Sequence, residues 1–336
     1  MARLFRYHSF RSPRYPLPND VIEQQREELM HELFTEIMEG RLFIAPLEKG
    51  PTKVLDLCTG VGLWAIEVGD QFPQAQVLGV DLSPIQPKGV PPNVTFEVDD
   101  VEDVWAHDTD YDLIHMREAS SYIGSTPKVI EKAFQHLKPG GWVELQDFHY
   151  EAYSEDGTMP TNCPINQFAD HMYVYGYAEG RNFHAVPNID DFMGKAGFIN
   201  IQKKVYKVPF GSWPEDEKAR RMGIYLKVAF ESAMAPCARS VTNLIFDHYQ
   251  VVQGVVSTGE LIYSGVLHLC FISNDSSIPL NKVITNVDLC IRLLASSGLT
   301  PVQIESLFAE VSQFLNNHDI HCWTDYYVWV GQKPPV

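Results

Sequence analysis

Apolar residues recur at helical spacing soon after the start of the chain: Ile22, Leu29, Met30, Leu33, Phe34, Ile37 and Met38 fall on one face. Asp20 followed three residues on by Glu23 is a capping-box pattern that opens this helix, and Gly40 stops it. Beyond Gly50 the period changes, and short apolar runs alternate with helical stretches. The pattern predicts strand 52–57, helix 61–72, strand 76–81, strand 94–98, strand 111–115, helix 126–138 and strand 141–148. Lys138-Pro-Gly-Gly141 reads as a turn feeding that last strand. Strands alternating with helices predict a parallel sheet with helices on both faces. From Tyr153 to Val186 the periodicity weakens, and Pro160, Pro164 and a dense aromatic set (Phe168, Tyr173, Tyr175, Tyr177, Phe183) accompany His171 and His184. A helix over about 188–196, a strand over 198–208 and a last strand over 321–330 follow.

The most informative stretch is Val54 to Glu67. Val54, Leu55 and Leu57 end a buried strand, Gly60 and Gly62 make a tight turn, and Leu63, Ile66 and Val68 begin a helix. A strand passing through glycines into a helix N-terminus brings backbone N–H groups close to a ligand. Acidic residues flank it. Asp56 lies within the motif, and Asp81 ends the next apolar run, where a carboxylate can accept bonds from ribose hydroxyls. Asp99 and Asp100 follow the third run. The glycine spacing differs from the G-x-G-x-x-G of dinucleotide enzymes.

A chain of 336 residues with 45% hydrophobic content holds one large α/β domain, or one domain plus a cap. The net charge of −17 argues against a nucleic-acid or anionic-membrane binder, which needs clustered Lys and Arg. Six cysteines without a Cys-x-x-Cys pair read as reduced thiols of an intracellular protein. His318, His321 and Cys322 make too thin a set for zinc, so no metal is predicted. The first fifteen residues carry Arg3, Arg6, Arg11 and Arg14 without the apolar run of a signal peptide; they read as a presequence or, better, an ordered arm. The most apolar region, 255–272, is interrupted by Glu260 and His268, so no membrane span is expected.

Several segments in combination resemble one family. They are Tyr7-His-Ser-Phe-Arg11, Tyr15-Pro-Leu-Pro-Asn-Asp20, Gly79-Val-Asp-Leu-Ser-Pro-Ile-Gln-Pro87, Pro91-Pro-Asn-Val94, Phe96-Glu-Val-Asp-Asp100, Asp112-Leu-Ile-His115, Arg117 and Leu137-Lys-Pro-Gly-Gly-Trp142. Together they are similar to the fungal LaeA-like S-adenosylmethionine (SAM)-dependent methyltransferases, over residues 5–236 and 291–334. The loop resembles that family's (Asp/Glu)-x-Gly-x-Gly-x-Gly motif, with Cys58 in place of the first glycine.

The resemblance implies a Rossmann-like class I fold: a seven-stranded, mostly parallel sheet with a final reversed strand, an N-terminal helical lid and a cap. On that reading residues 1–50 form the arm and lid, 51–150 the SAM-binding core, and 151–187 a cap or substrate segment. Residues 188–210 continue the core, 211–320 form a helical cap, and 321–336 the final strand. The resemblance further implies that Asp56, Gly60 and Gly62 line the methionine end of SAM, that Asp81 holds the ribose, and that Asp100 with Val101 flanks the adenine. Cys58, Leu82 and His115 complete the implied cofactor set. Residues 239–290 do not match the family and read as a substrate-cap insertion, a surface excursion or translated intron.

The implied activity is methyl transfer to a small-molecule intermediate of secondary metabolism in the cytoplasm, with no nucleic-acid or membrane partner. The alternatives are a regulator of such pathways, for which a nuclear location stays open, and a non-methylating descendant of the fold. Oligomeric state is not readable. Methyl transfer from a sulfonium asks mainly for alignment and exclusion of water, and needs a base only when the acceptor must lose a proton. His115 and His149, at the carboxyl ends of the fourth and fifth strands, are the candidate bases. His115 reads first as a hydrogen-bonding group that holds the cofactor or loop. Asp147 neighbours His149 in sequence, and the two are not expected to pair. Tyr7, Tyr15, His171 and Tyr173 either line a substrate pocket or belong to a small apolar subcore. Arg117 pairs with a ligand acid or serves the structure.

Overall fold

Asp20 caps the first helix, α1 (Val21–Ile37), accepting the N–H groups of Ile22 and Glu23 at 3.0 and 3.1 Å in the computed structural model. The reciprocal half of the expected capping box is replaced, because Glu23 turns to Arg26 at 2.8 Å instead. The structure describes residues 19–106, 109–178, 181, 185–234 and 298–335. The arm with Tyr7 and Tyr15, as well as the segment 239–290, lies outside them.

The core follows the predicted alternation: β1 (Lys53–Leu57), α2 (Leu63–Gln71), β2 (Gln76–Asp81), β3 (Val94–Val98), β4 (Tyr111–Arg117), α3 (Thr126–His136) and β5 (Leu137–Tyr153). Then come α4 (Pro164–Ala178), a short 3-10 turn (Val186–Asn188), α5 (Ile189–Ala196), β6 (Ile199–Phe210), a helix α6 over 217–234, α7 (Pro301–Leu315) and β7 (Cys322–Gln332). The seven strands run β3-β2-β1-β4-β5-β7-β6, with β7 antiparallel to both β5 and β6. The expected sheet with a reversed last strand is therefore present.

Alternation along the strands sends neighbours to opposite faces. Val54 and Leu113 pack with Trp64, Ala65 and Val68 of α2, whereas Leu55 and Ile114 pack with Val129 and Ile130 of α3 and Ile189 and Met193 of α5. A third cluster joins Leu33, Phe34 and Ile37 of α1 to Ile165 of α4, Leu226 of α6, Val311 of α7, and Phe148 and Tyr326 of the sheet. The first helix is thus anchored over β5 and β7, and its polar residues hang over the carboxyl ends of the strands.

Two elements differ from the prediction. Lys138 to Gly141 is an irregular start to β5, not a turn before it. The register jumps from Tyr111↔Leu137 to Leu113↔Trp142, and Gly140 donates to the Lys333 carbonyl at 3.0 Å. Within the aromatic stretch lies the full helix α4. Its inner positions Ile165, Phe168, Ala169 and Met172 do follow helical spacing, but the apolar residues between them in the sequence blur the pattern.

Candidate active site

In an open parallel sheet ligands bind outside the carboxyl ends of the strands, where the strand order reverses. Here that point lies between β1 and β4, and a cavity of about 260 Å³ opens over it. Its floor is the loop after β1. Cys58, Gly60 and Gly62 all adopt left-handed conformations, with φ of 56°, 57° and 82°. A side chain at Cys58 therefore costs about 1 kcal/mol or more relative to glycine.

Carboxylates hold this loop. Gly60 N–H donates to Asp81 Oδ2 at 2.9 Å, and Val61 N–H donates to Glu27 Oε2 at 3.0 Å. Two amides expected to face a ligand are thus bonded within the protein. Asp81 also accepts Ser83 N–H at 2.8 Å, which fixes its carboxylate at the end of β2 beside Leu82. Asp100 is buried, accepts Glu102 N–H at 2.9 Å, and lines the same wall as Val101. Gly62 serves differently from the expectation. It starts α2 and is absent from the cavity wall, and Phe96 packs so close that a Cβ would lie 2.5 Å from its ring.

Asp56 is buried under the loop, accepting Thr59 Oγ1–H at 2.5 Å and bonding His115 Nδ1 at 2.7 Å. The His115 ring stacks on Trp64 with centroids 3.7 Å apart, and the Trp64 indole donates to the Leu42 carbonyl. Burial pushes the His115 pKa down despite Asp56. Its neutral ring donates from Nδ1 and orients Asp56.

Arg117 at the end of β4 places Nη2 3.0 Å from His31 Nδ1 of α1, with its guanidinium 4.4 Å above the Phe34 ring. His31 in turn reaches Glu67 on α2 at 3.1 Å, so this chain ties the first helix to the core. The next residue, Glu118, is in the left-handed region at φ 53° and accepts Phe148 N–H at 2.7 Å and Tyr150 O–H at 2.5 Å. Burial pushes the Glu118 carboxyl and the Tyr150 phenol both upward. Sequence reading missed Glu118, although its place after a β4 end was a usable signal.

His149 is half-buried and lines the cavity, with its ring 6.3 Å from that of Tyr327. Asp147 bonds Ser120 Oγ at 2.6 Å, so it is engaged away from His149. The far wall is apolar: Phe168, Met172, Leu226, Phe230 and Met234, with Tyr173 among them. His171 does not line the cavity; the α4 residues that do are Phe168, Ala169, Met172 and Tyr173.

Residues 29–203 match the family model of a methyltransferase domain. Methyltransferase pytC of Aspergillus terreus is 34% identical over 330 residues, covering 98% of this chain and 86% of that protein. The secondary metabolism regulator LAE1 of Cochliobolus heterostrophus is 35% identical over 65% of this chain and 73% of its own. Protein-methionine methyltransferase laeA of Emericella nidulans is 31% identical over 68% of this chain and 62% of its own.

Proposed function

The chain belongs to the LaeA-like family of SAM-dependent methyltransferases, and from that premise we propose that it methylates a small, largely apolar acceptor of secondary metabolism. One observation carries this reading. A single cavity joins the Asp81 and Asp100 carboxylates to a chamber walled by Phe168, Met172, Tyr173 and Phe230. Such a chamber suits an apolar small molecule with few polar groups.

The residues at the floor fit the cofactor. Gly60 lines the cavity, with room for no side chain beside the Glu27 carboxylate, and both oxygens of the cavity-lining Asp81 are oriented by backbone donors. Asp81 would hold the ribose hydroxyls, Asp100 with Val101 would flank the adenine, and Asp56, Cys58, Gly60 and Leu82 would line the methionine end. When bound, SAM supplies a methyl group on a sulfonium. This chain's part is to hold the acceptor against the apolar wall and exclude water. It must also take a proton if the acceptor is a hydroxyl. His149 and the Glu118–Tyr150 pair are the proton acceptors we assign, whereas His115 positions Asp56.

The test is incubation of the purified protein with methyl-labelled SAM and an extract of the producing fungus. Label in an organic-soluble product is expected; label confined to protein would refute the small-molecule reading. Similarity to LAE1 and laeA favours a regulator as the second reading, but the match to pytC extends over far more of the chain. Deleting the gene separates the two: loss of one methyl group on one compound, against silence of several pathways.

A further inference from the structure

α1 carries a carboxylate into the glycine loop. Glu27 Oε2 accepts Val61 N–H at 3.0 Å, and a Cβ on Gly60 would sit 2.5 Å from the same oxygen, so the carboxyl rests on the loop backbone. In a phosphate-binding loop such amides face an anion. Here two adjacent ones are already taken by Glu27 and Asp81, so the loop meets the cavity with carboxylates beside it. The groups facing Glu27 are Glu23 and Arg26 of its own helix and Asp81 of β2. Asp56, Cys58, His31, Arg117 and Glu118 border the same cavity. Arg26 is turned to Glu23 at 2.8 Å, and among the described residues no ion pair engages Glu27.

We propose that Glu27 is the ligand of the α-ammonium of SAM, and that its carboxyl releases a proton to solvent when that ammonium binds. The inference rests on the cofactor placement given above. The ammonium keeps its three protons; the carboxyl O–H breaks, and the proton leaves to buffer. Burial, with Glu23 and Asp81 nearby, pushes the Glu27 carboxyl up to about 8, so it is mostly protonated in the empty protein at pH 7. A cation against it reverses that balance.

The experiment is calorimetric titration of the full chain at pH 7 in two buffers of different protonation enthalpy. The ligands are SAM, S-adenosylhomocysteine and 5′-methylthioadenosine, the last of which has no ammonium. Release of close to one proton is expected with the first two and almost none with the third. Glu27→Gln, whose amide oxygen can still accept from Val61, should abolish the release and weaken SAM binding about tenfold or more. Its affinity for methylthioadenosine should stay unchanged, which also reports an intact fold. Binding of SAM without proton release overturns the inference, as does release that persists in Glu27→Gln. An equal loss of methylthioadenosine affinity would make Glu27 merely structural. Absence of any SAM binding by the wild-type chain would bring down the cofactor placement itself, and this inference with it.

Discussion

Asp81→Ala removes the carboxylate that organises both the loop and the proposed ribose site. Its oxygens accept Gly60 N–H at 2.9 Å and Ser83 N–H at 2.8 Å. Hydrogen bonds to a charged group contribute about 1.5–3 kcal/mol each. The side chain is half-exposed, so water partly replaces the lost acceptor, and the low end applies. A stability loss of about 1–3 kcal/mol is expected from the two bonds together. For ligand affinity, two lost hydroxyl bonds at the low end total about 3 kcal/mol, on the order of a hundredfold in Kd. Asp81→Asn keeps the shape and one carbonyl acceptor but sets an amide NH2 against a backbone N–H, and should fall between. Titration calorimetry with SAM and with 5′-methylthioadenosine measures both variants, and thermal unfolding reports the loop. Because the ribose is common to both ligands, Asp81→Ala should weaken them alike, unlike Glu27→Gln. An affinity within twofold of wild type in Asp81→Ala would remove Asp81 from the site.

Other consequences are equally direct. Glu144 accepts the N–H groups of Ile44 and Ala45 at 2.8 Å, and burial raises its carboxyl to about 7. Its folded pKa lies above its unfolded one, so its contribution to stability is complete below about pH 4.5 and is lost as pH rises through 7. The Tm of Glu144→Gln relative to wild type should therefore rise between pH 5 and pH 8; a constant difference would contradict the assignment. Gly60→Ala places a Cβ against Glu27 at φ 57° and should cost about 1–2 kcal/mol in urea unfolding, with weakened SAM binding by calorimetry. With a hydroxyl acceptor in hand, Glu118→Gln should lower kcat about a hundredfold while leaving KM for SAM unchanged. If the pH–rate profile keeps its wild-type shape and height, Glu118 is not a proton acceptor.

The parts of this protein that local pattern encodes were legible in the sequence. Strand and helix periods depend on neighbours a few residues apart, so the βα alternation, the Asp56–Gly62 loop and the carboxylates at Asp81 and Asp100 could be located before any contact was known. α4 was obscured because its inner face of Ile165, Phe168, Ala169 and Met172 shares the segment with tyrosines of similar apolarity. Which of two nearby residues reaches the cavity, Tyr173 but not His171, followed from how α4 docks.

Other roles needed the tertiary structure outright. Glu27 looks like any surface carboxylate of an amphipathic helix until that helix packs over the sheet and brings it to Val61, 34 residues on. Glu118 meets Tyr150 only because β4 and β5 pair in parallel and φ at Glu118 turns left-handed. His115 becomes a positioning group because register sets it beside Asp56, with Trp64 above it. Periodicity carries the backbone course of each element; the charges that meet in the cavity are decided by sheet order and helix docking, which arise from packing between residues far apart in the chain.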